Sequence, residues 1–401
     1  MDRPALRRCV GADVERFAAD HWGRRPLLSA GTGDVTDLLS PDAVDELLST
    51  RGLRTPFLRL ARQGSVLDTK RFTRSGGAGA EIADQVADDK VLREFAEGAT
   101  LVLQGLHRTW PPLIDFGAQL AADLGHPVQV NAYVTPPSSR GFDAHHDVHD
   151  VFVLQVSGEK RWMVHAPVHP DPLRTQPWEQ HRAAVAARAA EDPVLDTVLR
   201  PGDALYLPRG WLHAAEALGD TSIHLTVGVH VLTRYAVVEA LLALAADTPE
   251  LRASLPLGMD LGDPDALTAE VKTTLEALVE RLGHASAADV APRLRALLDG
   301  GTRPEPVRPL AQAAAAAAVD GATTVRRRAH LRYRLERKGD ETVLRLPDRT
   351  VTLPSSCHDA LRVLLGGGAH RVDALPGVGT DDATVLVRRL LREAVVVPDG
   401  T

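Results

Sequence analysis

Of the 16 Phe, Trp and Tyr residues in this 401-residue chain, 15 lie at or before Tyr235, and only Tyr333 follows. Large rings fill β-cores, whereas a ring-poor segment packs aliphatic helices more readily. The asymmetry predicts a β-rich domain over 1–235 and a different architecture after it. The length agrees with two or three domains, at about 150 residues per domain.

Within the first part, residues 13–20 can cap and run as a helix in a short, linker-rich opening lobe. From Val128 the pattern becomes strands. VQVNAYV alternates with a period of two, which puts Asn131, Tyr133 and Thr135 on one face. VFVLQV (151–156), the turn pair Ser157-Gly158 and RWMVH (161–165) read as a hairpin. DALYLP (203–208) and IHLTVGVH (223–230) add two strands, and 170–200 reads as an inserted loop with a short helix. Short strands punctuated by Gly and Pro, without βα alternation, predict an antiparallel barrel or double-sheet jelly roll.

Residues 236–310 read as helices. Leu241, Leu242, Leu244 and Ala245 form one apolar stripe, and Leu267, Val271, Leu275, Leu278 and Leu282 a second behind Pro264. Val290, Leu294 and Leu297 mark a third. Such helices bury little alone, so they pack on the barrel or on a second copy of the chain. A Pro-rich then Ala-rich stretch over 303–324 reads as a low-complexity connector, with the linker proper at 311–325. The remainder, 326–401, mixes small strands with two or three helices and resembles a winged helix.

Composition limits the partners. The net charge is 46 − 53 = −7, so the chain as a whole does not attract nucleic acid or anionic membrane. From Gly321 onward 14 Lys and Arg stand against 10 Asp and Glu, too small a surplus for a DNA-binding face. Two distant cysteines, Cys9 and Cys357, exclude a disulfide scaffold and a cysteine-ligated zinc, and fit a reducing cytoplasm. No apolar run nears the roughly 18 residues of a membrane span, and no signal peptide is expected.

The chemistry concentrates in GFDAHHDVHDVFVLQVSGEKRW (141–162), where three histidines and three aspartates fall in eight positions before an apolar strand. His145 and Asp147, two apart on an extended chain, project to the same side and can share a metal ion. The best third ligand is His213, which follows the strand ALYLP and the Pro208-Arg209-Gly210 bend. Two histidines and a carboxylate on one face of a metal form the facial triad of non-heme Fe(II) oxygenases. A lone HxD also arises by chance, and on these residues alone His146 or His149 could be a ligand instead.

The segments NAYVTPPSSRGFDAHHDVHDVFVLQVSGEKRW, PVLDTVLRPGDALYLPRGWLHAAEA and TSIHLTVG resemble the JmjC-domain ribosomal oxygenases. These are cupin-fold enzymes dependent on Fe(II) and 2-oxoglutarate. The resemblance extends over essentially the whole chain. It implies a double-stranded β-helix (jelly-roll) JmjC domain with α-helical additions, a helical dimerisation segment at 236–310 and a C-terminal winged helix. It makes His145, Asp147 and His213 the iron ligands and Lys160 the cation for the distal carboxylate of 2-oxoglutarate. Asn131 and Tyr133 match pocket positions, and Thr226, with His224, lies on a neighbouring strand. Trp162 and Trp211 are expected to pack.

The implied reaction couples decarboxylation of 2-oxoglutarate to succinate with hydroxylation of a histidine or arginine in a ribosomal protein. The sequence departs from the family pattern in its density of histidine: His146 and His149 are extra. The segment 170–200 is the expected wall of a substrate groove. Alternative readings are the same chemistry on a small molecule, a ligand-sensing cupin that binds DNA through the winged helix, and a methyl-lysine demethylase.

Overall fold

In a computed structural model, which describes residues 3–79, 81–137, 139 and 143–400, the first part of the chain builds one nine-stranded antiparallel sheet. Residues 138 and 140–142, inside the motif quoted above, lie outside the described residues. The strands are β1 (Leu27–Ser29), β2 (Leu58–Arg62), β3 (Ser65–Val66), β4 (Thr100–Leu103) and β5 (Val128–Thr135). They continue with β6 (Asp150–His165), β7 (Leu195–Leu199), β8 (Ala204–Leu207) and β9 (Leu212–Val229). Their order is β1-β8-β6-β9-β5-β4-β2-β3, with β7 paired to β6.

The predicted hairpin at Ser157-Gly158 is corrected. β6 runs unbroken through both residues for 16 positions, and β9 pairs with it on either side of the bend. Gly158 has φ of +64°, and a Cβ there would meet Thr221 O at 2.3 Å. A glycine of this kind serves a bend as well as a turn. Here the second half stays on β9 and adds β7, while the first half pairs with β8. The two long strands thereby pass from one sheet layer to the other, which produces the predicted jelly roll.

Alternation along the strands sorts their side chains. Val130, Ala132, Phe152, Leu154, Tyr206, Leu225 and Val227 pack outward on helices α1 (Pro4–Val10) and α2 (Pro111–Leu124). Val151, Val153, Trp162, Val164, Leu205 and Leu207 form a separate interior cluster. The predicted insert contains β7 and one short helix, α3 (Arg182–Ala189).

The described residues divide into two compact units, one reaching Val231 and including Pro304–Pro306, the other spanning Leu232–Arg303 and the chain from Val307. In the second unit lie α4 (Arg234–Ala245), α5 (Pro264–Gly283) and α6 (Ala287–Gly301). Thr233 caps α4, and Ser286 with Asp289 forms a capping box on α6. No residue of α5 is buried: Val271, Leu275 and Val279 are 52%, 53% and 68% exposed.

The 303–324 stretch is not only a connector. Residues Pro309–Ala318 form a helix, α7, whose buried Gln312 donates from Nε2 to Leu391 O at 2.8 Å and to Val396 O at 2.7 Å. Alanine favours helix, and a core to pack on turns a low-complexity run into a structural element. Behind it come β10 (Thr324–Arg327), β11 (Arg334–Lys338), β12 (Glu341–Arg345) and β13 (Thr350–Pro354). Helix α8 (His358–Gly366), strand β14 (Ala369–Arg371), helix α9 (Thr380–Arg392) and strand β15 (Val396–Pro398) complete the unit. Leu361, Leu364, Leu386, Leu390 and Val396 fill its core.

Candidate active site

His145 and Asp147, paired by their spacing, converge with the expected third ligand, His213. One ligand atom from each lies within 4.8 Å of the others, and His213 Nε2 stands 3.7 Å from Asp147 Oδ2. The backbone holds them there. The bend before β9 returns to the 145–147 segment, where Gly210 N–H donates to Asp147 O at 3.0 Å. Gly210 has φ of +86°, and a Cβ would meet His169 O at 2.8 Å, so this approach requires glycine.

The second ring nitrogens set the tautomers. His145 Nδ1 is 2.7 Å from Asp143 O, and His213 Nδ1 is 3.1 Å from Trp211 O. A carbonyl only accepts, so each Nδ1 carries a proton and each Nε2 is the ring atom left for a metal, the usual arrangement behind a metal-ligating histidine. Burial, aided by neighbouring His145, pulls His213 down to about 4 and keeps its imidazole neutral. Burial pushes the Asp147 carboxyl up, but His149, His213, His145 and His146 outweigh it and hold the group below its ordinary value. Two imidazole nitrogens and a carboxylate oxygen are donors that a divalent cation takes. The donor set therefore fits Fe(II).

His146 and His149 stand outside this group. His146 is buried, with Nδ1 3.4 Å from Asp147 O, and His149 Nε2 contacts Gln129 Nε2 at 3.3 Å.

A cleft of ≈ 80 Å³ adjoins the triad, and Tyr133, Val151, Lys160, Trp162, His224 and Thr226 are among its lining residues. Lys160 enters it from the second half of β6, 2% exposed, and donates from Nζ to Thr135 Oγ1 at 2.9 Å. Among the described residues, no carboxylate lies within ion-pair distance of Lys160. Burial lowers its pKa to about 7. The Tyr133 hydroxyl is pushed up to about 12 by burial and by Asp147, so it stays protonated.

Two sequence expectations change. Asn131 is not among the lining residues; its Oδ1 accepts from Gly105 N–H at 3.0 Å and ties β5 to the segment before residue 106. Trp162 is more than packing: it lines the cleft, with its ring 5.5 Å from His224 and 6.0 Å from His213. Trp178, in the insert, comes within 6.4 Å of the His145 ring, a contact that no local pattern announces.

The chain is similar to known JmjC-domain proteins. The JmjC domain family model matches residues 115–237. The bifunctional lysine-specific demethylase and histidyl-hydroxylase NO66 of Drosophila persimilis is 39% identical over 250 residues, covering 60% of this chain and 34% of the relative. Ribosomal oxygenase 1 of Homo sapiens is 35% identical over 199 residues, covering 45% and 30%. The chain thus spans about a third of the length of the curated relatives it matches. Among solved structures, the ribosomal oxygenase YcfD of Escherichia coli has a TM-score of 0.53 at 17% identity, covering 98% of this chain and 99% of that one. A structure of the same enzyme with cobalt and 2-oxoglutarate has a TM-score of 0.52 at 16% identity, over 98% and 99%. These structures share the fold.

Proposed function

We propose that the chain is a JmjC-domain ribosomal oxygenase, an Fe(II)- and 2-oxoglutarate-dependent oxygenase that hydroxylates a protein side chain. One observation carries the reading. A buried lysine without a carboxylate partner among the described residues faces a cleft that it shares with two imidazoles and a carboxylate. A buried cation in want of an anion, beside a metal-ready triad, suits a dicarboxylate that chelates the metal by its other end.

His145, Asp147 and His213 would hold Fe(II), which when bound supplies activation of dioxygen and oxidative decarboxylation of the 2-oxo acid. The chain's own residues arrange the rest. Backbone carbonyls behind the two imidazoles leave their Nε2 atoms for the metal. Lys160 supplies charge for the distal carboxylate, and Tyr133 a protonated hydroxyl in the same cleft. Val151 and Trp162 add apolar surface to the cleft wall.

We take the substrate to be a histidine or arginine of a ribosomal protein; relatives named as a histidyl-hydroxylase and as a ribosomal oxygenase support a histidine. The exposed apolar face of α5 supports a homodimer formed through 236–310. Two buried free cysteines fit the reducing cytoplasm, and among the described residues no helix is long and apolar enough to cross a membrane.

The test is turnover of 2-oxoglutarate by Fe(II)-loaded protein with purified ribosomal proteins, read as succinate and as intact mass. The expected result is succinate coupled to a ribosomal protein one oxygen atom heavier. Succinate without any modified protein would favour a small-molecule substrate, and no succinate under any condition would overturn the reading.

A further inference from the structure

His224 is 3% exposed, lies on β9 opposite Tyr133 on β5, and lines the cleft that Lys160 enters. Its ring is held on two sides. Tyr133 stacks on it at 5.1 Å with planes 4° apart, and Trp162 meets it edge-on at 5.5 Å and 83°. The ring position is therefore set by packing, yet its polar atoms are left over. Nδ1 is buried without a hydrogen-bond partner, and neither ring nitrogen bonds to any described residue. His145 and His213, in the same site, each have Nδ1 against a backbone carbonyl.

A buried imidazole costs stability while its donor and acceptor are unmet, so a lone one on a cleft wall points to a ligand. Burial, then the nearby charge of Lys160, holds His224 well below its ordinary pKa, which leaves a neutral ring with one N–H donor. A second cation beside Lys160 would repel it; a neutral donor does not. Lys160 brings charge on a flexible stem, and a ring clamped between two aromatics brings direction.

We propose, resting on the functional reading above, that a ring N–H of His224 donates to the same distal carboxylate that Lys160 neutralises. His224 is then a co-substrate-binding residue selective for 2-oxo acids that carry a second carboxylate.

The test measures binding of 2-oxoglutarate and of 2-oxobutyrate, which lacks that carboxylate, to Mn(II)-loaded protein without oxygen. His224→Phe keeps the ring stack and removes both nitrogens. It should weaken 2-oxoglutarate binding roughly 10- to 100-fold, the range for a hydrogen bond to a charged group. Mn(II) affinity and 2-oxobutyrate binding should hold within about twofold, and His224→Gln should recover part of the loss. In the wild-type protein, the ring nitrogen resonances of His224 should shift on adding 2-oxoglutarate and not on adding 2-oxobutyrate, which tests the contact even if His224→Phe fails to fold. Unchanged 2-oxoglutarate affinity in folded His224→Phe, or equal losses for both acids, would overturn the proposal and leave His224 as packing. Failure of wild-type protein to bind 2-oxoglutarate at all would remove the underlying functional reading instead.

Discussion

His145 and His213 exchange both backbone hydrogen bonds, His145 N–H to His213 O at 3.2 Å and His213 N–H to His145 O at 2.9 Å. Two side chains far apart in sequence are thus fixed by a bridge that needs neither side chain.

Because the backbone holds the site, Asp147→Ala should remove chemistry without removing the fold. Coupled succinate formation should vanish and Fe(II) affinity should fall about 100-fold or more, with a thermal midpoint within a few degrees of wild type. Calorimetric metal titration and a melting curve check both. Full turnover in the variant would take Asp147 out of the site.

Among the described residues that line the cleft, Lys160 and Asp147 are the lysine and the carboxylate. Lys160→Ala should raise the 2-oxoglutarate requirement about 30-fold or more while metal affinity changes little, because a buried carboxylate would lose its cation. Steady-state kinetics against 2-oxoglutarate decide it, and an unchanged requirement would assign the carboxylate to another residue.

The same lysine predicts a pH dependence. Its folded pKa lies near 7, against 10.5 for an ordinary lysine, so above about pH 7 the unliganded protein holds it neutral. The groups facing it, the Thr135 hydroxyl and neutral His224, add no charge of their own. A carboxylate binds the ammonium form, so binding takes up a proton above pH 7 and apparent affinity falls by up to about tenfold per pH unit. Stability of the unliganded protein moves the other way. Between about 7 and 10.5 the unfolded chain binds more protons, so stability rises with pH in that window. Calorimetry of 2-oxoglutarate binding from about pH 6 to about pH 9, in buffers of different ionisation heat, measures the uptake. Affinity flat across that range would place the lysine away from the ligand.

The α5 face offers a fourth test. Leu275 and Val279 are more than half exposed, so Leu275→Glu with Val279→Glu should leave the single chain folded. If 236–310 forms the dimer, the double variant should be a folded monomer by light scattering. An unchanged oligomer would put the interface elsewhere.

Much of this was legible in the chain. The loss of aromatic rings after Tyr235 marks the change from sheet to helices, which the structure divides at Val231. The two-residue spacing of His145 and Asp147 orients both to one side, and alternation along Val128–Thr135 presents Tyr133 and Thr135 to one wall. These are local properties: a strand's period and a motif's spacing act within a few residues, so they survive whatever the rest of the molecule does. Which contacts form between distant segments was decided only in three dimensions. Gly158 bends a strand instead of ending it because β9 follows on both sides, Asn131 turns to Gly105 and not to the cleft, and the alanine run at Pro309–Ala318 is a helix because a core awaits Gln312. His224 belongs with these: its slot between Tyr133 and Trp162 exists only once two other strands have closed around it. Sheet pairing and core packing join residues that the chain keeps far apart, and no pattern within one segment encodes the partner it will meet.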